Sequence, residues 1–328
     1  MRGFLSSTFI LALAASAAYA RLLIDYHGGD DPKNLGAIEL ESFNLGDHVA
    51  AGSGGSDVFI KAETDTTLNR PALHYKRSEH YRRAEMRILD HDIEEDKTYF
   101  VGFTFRLSHS RKGLVFFQWK KADKTAAPQQ NIPFHMEFEG EDELTLGYTT
   151  PGGNGSQRKP VWHGKFSTGN SEIDVHSVGF AINTANDGSG WLEFYLDGKK
   201  QTFDSGKDRL ENVYLLTGRT YPKIGIYRGE AAQGDESNAA DHTFNSYVYR
   251  VQISDSSLDE IAEAAGLDGG STPEPSSTTM PPETTMPPST SQEPVPTETP
   301  SPPPPSKPTC SKNKKRSRSR RHRIHSAK

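Results

Sequence analysis

The sequence predicts an all-β protein: a β-jelly-roll sandwich of two antiparallel sheets, with a concave substrate groove on one of them. Three observations carry this. Short runs with period-two apolar spacing, rich in Phe, Tyr, Val and Ile, recur at Thr98–Arg106, Leu114–Lys120, Ile132–Glu139, Ser177–Asn183, Trp191–Tyr195 and His242–Ile253. Turn-forming clusters separate them, at Pro151-Gly-Gly-Asn-Gly155, Asn186-Asp-Gly-Ser-Gly190 and Asp197-Gly198. Strands do not alternate with amphipathic helices, which leaves a two-sheet sandwich as the architecture. The Asp197-Gly198 pair, between Trp191–Leu196 and Lys199–Phe203, predicts a tight hairpin. One short helix is expected after Ser256, where Leu258, Ile261, Ala262 and Ala265 form an apolar stripe.

Composition divides the chain into four parts. Residues 1–20 read as a secretory signal peptide, with Arg2, an apolar run from Phe4 to Ala17, and the small-residue site Ala18-Tyr-Ala20. Residues 21–267 are long enough for one large β domain. Residues 268–308 hold 14 of the 21 prolines and repeat Thr-Thr-Met-Pro-Pro at 278–282 and 284–288, a composition that cannot bury a core and predicts a disordered spacer. Residues 309–328 carry nine Lys or Arg and no acid. Removing those nine charges from the net −5 leaves −14 on the rest, a balance that argues against nucleic-acid binding. The basic tail suits acidic wall polymers. The only cysteine, Cys310, lies in that tail, so the domain must rest on its core rather than on disulfides. The expectation is a secreted, wall-associated monomer without a transmembrane segment.

Three segments are loaded with chemistry. Glu79-His-Tyr-Arg-Arg-Ala-Glu-Met-Arg87 concentrates cations in an acidic domain. In Leu114–Lys120, alternation places Gln118 and Lys120 on a face shared with Leu114 and Phe116, where an amide needs a hydrogen-bond partner or a ligand. In Tyr221-Pro-Lys-Ile-Gly-Ile-Tyr-Arg228, alternation places Lys223, Gly225 and Tyr227 on one face, with the glycine leaving room for a ligand to approach. Together these supply an imidazole, an amide, a phenol and several cations. That inventory suits β-elimination on a uronic-acid polymer. Hydrogen bonds from Gln118 and a nearby cation would neutralise the C5 carboxylate. A base would then remove the C5 proton while an acid protonates the departing O4. In 1,4-linked glucuronate H5 and O4 lie on the same side of the ring, so Tyr227 can serve both roles if neighbouring Lys223 lowers its pKa. His80 would assist as base or as a stabiliser of charge.

The segments His80-Tyr-Arg-Arg-Ala-Glu85, Lys97–Phe105, Phe116-Phe-Gln-Trp-Lys120, Asn131-Ile-Pro133, Pro222–Glu230 and Ser246–Gln252 resemble polysaccharide lyase family 20, the glucuronan lyases. That family sits among the jelly-roll lyases, with alginate lyases and heparin lyase I. The resemblance implies cleavage of an anionic uronic-acid polysaccharide, with His80, Gln118 and Tyr227 as catalytic residues. Lys223, Arg83 and Lys120 would bind substrate. Alginate-lyase motifs fit more loosely: Arg83-x-Glu85 matches, but Gln118 is followed by Trp-Lys rather than by a histidine two residues on. The resemblance also implies a structural Ca2+, for which the loop Gly234–Asn238 with Asp241 offers oxygen ligands. The scattered histidines lack zinc spacing. Asn154-Gly-Ser156 is an N-glycosylation sequon. Two rivals remain at this point. A glycoside hydrolase could use Glu137, Glu139 and Glu141 on one strand face. A lectin-like wall module could share the sandwich and catalyse nothing.

Overall fold

Strands that alternate apolar and polar side chains must each bury one face, and this chain does so by laying two antiparallel sheets against each other. A computed structural model describes residues 22–42, 48–49, 55–78, 81–90, 93–122, 130–152, 158–215, 219–228 and 243–268. All of these fall within the first of two units, Met1–Glu274 and Pro275–Lys328. The expected signal peptide, the spacer beyond Asp268, the basic tail, Cys310 and the sequon Asn154 lie outside the described residues.

The eight-stranded sheet runs in the order β11 (Arg158–Lys165), β10 (Glu143–Thr149), β9 (Phe134–Phe138), β8 (Leu114–Lys121), β16 (Thr220–Arg228), β6 (Tyr81–Arg87), β2 (Ala37–Ser42) and β3 (His48–Val49). The nine-stranded backing sheet runs β14 (Lys199–Lys200), β13 (Gly190–Leu196), β12 (Val175–Asn183), β7 (Thr98–Leu107), β17 (Phe244–Ser254), β5 (Arg70–Arg77) and β4 (Val58–Asp65). There β1 (Ile24–His27) pairs with β17, and β15 (Leu210–Val213) with β13. The order 8-16-6-2 and the pairing of β7 with both β12 and β17 bring distant chain segments side by side, giving the jelly-roll sandwich predicted from the sequence. The six predicted runs match β7, β8, β9, β12, β13 and β17 to within two residues at each end.

The layer between the sheets is aromatic. Phe117 stacks on Phe103 (5.6 Å) and on Phe180 (4.8 Å) across the two sheets, and Trp119 stacks on Phe134 at 5.9 Å. Rings of this size contribute about 2–3 kcal/mol each when fully buried, enough to dispense with disulfides. The hairpin at Asp197-Gly198 forms, with both residues at positive φ (50° and 72°) as a type I′ turn requires, although β14 ends at Lys200 rather than Phe203. Ser257 caps a 3-10 turn over Leu258–Ile261 that continues into α1 (Ala262–Ala265). Its buried side chains are Ile261, Ala264 and Ala265, rather than the predicted stripe through Leu258 and Ala262. Gly102 of β7 lets this turn lie close: a Cβ there would come within 3.1 Å of backbone atoms of Ala265 and Ile261.

Candidate active site

β8 departs from plain alternation, and that departure builds the site. Its register against β9 shifts between Val115 and Phe117, and the adjoining stretch of β16, from Ile224 to Tyr227, shifts against β8. Phe116 and Phe117 consequently both enter the core, each packing on Phe103. Gln118 is thereby turned to the outer face of the sheet, away from Leu114 and Phe116. The sequence placed all three on one face, because a bulge leaves no mark in an apolar pattern.

Gln118 is directly opposite Lys223 of β16 and His135 of β9. On β6, Arg87 pairs with Lys223, Glu85 with Gly225, and Arg83 with Tyr227. Gln118, Lys223, Tyr227, Arg83 and Glu85 thus form one patch across three strands. At its centre is Glu85, which is fully buried. Its Oε1 accepts from Gln118 Nε2 at 2.5 Å, and its Oε2 lies 3.0 Å from Arg83 Nη1 and 3.5 Å from Lys223 Nζ. Gln118 reaches it diagonally across β16.

Gly225 itself is a backbone requirement rather than an opening for ligand. Its φ is +141°, and a Cβ would come 2.4 Å from Ala84 O, 2.7 Å from Glu85 Cα and 2.9 Å from the core ring of Tyr75.

Two expectations about Tyr227 change. Burial pushes its phenol above the ordinary value, with Arg83 pulling the other way, so the hydroxyl keeps its proton at neutral pH. The cation beside it is Arg83, whose guanidinium carbon lies 4.8 Å from the ring centroid. Lys223 is 2% exposed, its ammonium held between Glu39 and Glu85. Burial opposes the ionisation of Glu39, but Lys223, Arg83 and Arg87 outweigh it and hold the carboxyl below its usual range. Burial likewise works against the charge on Arg83, and Glu85, Glu41 and Glu39 more than compensate. Arg83 Nε lies 2.5 Å from Glu41, and Arg87 lies 3.2 Å from Glu39 and 3.0 Å from Asp90. Lys120, on the same face as Gln118, donates to Asn131. His80 lies outside the described residues, immediately before β6.

On the other flank the sequence reading missed His135 and Arg158. Phe134, Met136 and Phe138 point inward, which turns His135 and Glu137 to the outer face. Arg158 lies over Gly147, where any Cβ would strike its Cδ at 2.6 Å, and its guanidinium reaches Glu137. His135 Nε2 lies 3.1 Å from Glu137 Oε2, and its Nδ1 lies 3.4 Å from Arg158 Nη1. Burial pushes the imidazole below its ordinary value, so it is neutral, donating from Nε2 to Glu137 and accepting at Nδ1. Burial alone would raise Glu137, but His135 and Arg158 hold it down. The signal available in the sequence was a polar residue between inward-facing apolar side chains, at His135 between Phe134 and Met136. The hydrolase arrangement does not assemble: β9 ends at Phe138, Glu137 is tied to Arg158, and Glu139 turns to Lys112 at 3.8 Å.

Among the described residues no group of three or more His, Cys, Asp or Glu side chains is placed to hold a metal ion. The Gly234–Asn238 loop and Asp241, where calcium was expected, lie outside them. No helix among the described residues is long and apolar enough to cross a membrane.

The chain is similar to known proteins in fold and in family. Among solved structures, the endo-β-1,4-glucuronan lyase of the fungus Trichoderma reesei superposes with a TM-score of 0.51 at 14% identity, covering 74% of this chain and 98% of that one. At that identity the likeness is one of fold. Alginate lyase A1-II′ (TM-score 0.43, 15% identity, 67% of this chain and 94% of that one) is also similar. So is the PL-14 alginate lyase of the marine Aplysia kurodai (0.40, 12%, 59% and 86%). No curated protein sequence matches the chain. Residues 47–245, more than half of the chain, match the polysaccharide lyase family, and the chain belongs to that family.

Proposed function

We propose that this lyase is secreted and cleaves β-1,4-linked polyglucuronate by β-elimination, leaving a C4–C5 double bond at the new non-reducing end. The observation that carries the reading is the juxtaposition of Gln118, Arg83 and Tyr227 on one outer sheet face. In the proposed reaction the uronate carboxylate accepts hydrogen bonds from the Gln118 amide and from Arg83, which makes the C5 proton acidic enough to leave. A base removes that proton, and the C5–H electron pair becomes the C4=C5 bond. The C4–O4 bond breaks, and O4 takes a proton from an acid. Tyr227, protonated at rest, suits the acid half. H5 and O4 lie on one side of a glucuronate ring, so the base belongs on the same side as Tyr227. His80 keeps the base role implied by the family resemblance. Lys120 has the supporting part of balancing substrate charge, while Lys223, given to substrate by the sequence reading, is held between Glu39 and Glu85 beneath that face.

Substrate class and reaction type are tested together by incubating the protein with polyglucuronate. Two signals are followed: ultraviolet absorbance from the conjugated unsaturated uronate, and reducing ends. β-Elimination raises both in step. Reducing ends without absorbance would mean hydrolysis, binding without either would mean a lectin, and absorbance only from alginate would move the substrate to another uronate.

A further inference from the structure

Glu85 is fully buried and Gln118 keeps only 2% of its surface exposed, and three side chains of the outer face, Gln118, Arg83 and Lys223, converge on the Glu85 carboxylate. We infer that Glu85 is a positioning residue whose task is to set which way the Gln118 amide points; this rests on the lyase reading above. A carboxylate flanked by Arg83 and Lys223 can only accept hydrogen bonds, so Gln118 must turn its nitrogen, not its oxygen, toward Glu85. One Nε2 proton is spent on that bond, and the second is then aimed in a fixed direction for the uronate carboxylate. Without an obligate acceptor the amide would populate two orientations about 180° apart, and one of them would present oxygen to an anion. Arg83 and Lys223 serve the same end. They hold Glu85 in place and leave its Oε1 for Gln118.

A double-mutant cycle tests this. Glu85→Gln is nearly isosteric but can donate as well as accept, so kcat/KM is expected to fall about tenfold or more, mainly in kcat. Glu85→Asp keeps the obligate acceptor and is expected to retain more activity than Glu85→Gln despite its shorter reach. A packing role would rank the two the other way. In a Gln118→Ala background, Glu85→Gln should cost less than about twofold; an equal cost in both backgrounds overturns the proposal. A second measurement needs no variant. In the wild-type protein the two Gln118 side-chain amide protons should be widely separated in NMR shift and protected from exchange. Protons with the shift and exchange of a free glutamine would overturn the proposal regardless of how the variants fold. An inactive wild type on polyglucuronate would overturn the substrate reading alone, since the amide measurement is made without substrate.

Discussion

Each sheet carries a buried ionic cluster, and the two clusters are built differently. On the backing sheet Arg106 and Asp65 are both fully buried. Arg106 Nη2 meets Asp65 Oδ2 at 2.7 Å, Nη1 reaches Gly169 O (2.8 Å) and Asn170 Oδ1 (2.7 Å), and Tyr249 adds a hydroxyl to Asp65 at 2.6 Å. Most of its donors end on a fixed protein acceptor. On the other sheet Glu85 is as deeply buried and Gln118 keeps only 2% of its surface exposed, but Arg83 and Tyr227 are half-buried and continue the cluster toward the outer face. A closed network holds a fold together. An open one, anchored below the surface, leaves aimed donors for something else. Breaking the closed cluster should therefore cost stability and spare chemistry, and breaking the open one should do the reverse.

The sharpest form of that contrast is Gln118→Ala, expected to lower kcat/KM by about 10²- to 10³-fold, in line with the loss of one preorganised donor, with little change in melting temperature. Arg106→Met should destabilise the fold by about 3–5 kcal/mol by stranding the Asp65 carboxylate, while folded enzyme keeps its specific activity. Chemical denaturation and steady-state kinetics on the same preparations separate the two effects. Gly225→Ala sits between the categories. Its positive φ and the contact with Ala84 O predict a loss of roughly 2–4 kcal/mol together with disturbed activity, since β16 must shift against β6.

The smallest expected effect is on pH dependence. His135 has a lowered pKa when folded, so below about pH 6.5 the unfolded chain binds a proton that the folded one refuses. Stability should fall as pH drops through that window, and His135→Gln should flatten the slope there. Glu39 and Glu137, both held down in the fold, add a further loss below about pH 4.5; substitution of His135 leaves the Glu39 part in place and weakens the Glu137 part, which His135 helps to set.

These contrasts also mark what could be read without coordinates. Strand positions and the hairpin at Asp197-Gly198 were legible, because period-two burial and turn chemistry are local properties, and Gln118, Arg83 and Tyr227 entered as candidates through the family resemblance. The face of Gln118 was not, because the bulge near Phe116 moves it without altering the apolar pattern. Lys223 looked like the cation beside Tyr227 since both lie on one strand. The true neighbour, Arg83, lies 144 positions away in sequence and arrives only through the pairing of β16 with β6. Glu85 sat within a charged run that reads as solvated surface, and nothing local says that it is buried.

The central claim is that proton transfer on this face cleaves the polymer, and Tyr227→Phe tests it most directly. That substitution removes one oxygen and leaves the ring beside Arg83. Initial rates of unsaturated-uronate formation, measured with matched folded protein, should fall by at least about 10²-fold for the variant while its melting temperature and its affinity for polyglucuronate stay near wild type. A variant that forms the chromophore at the wild-type rate would contradict the account.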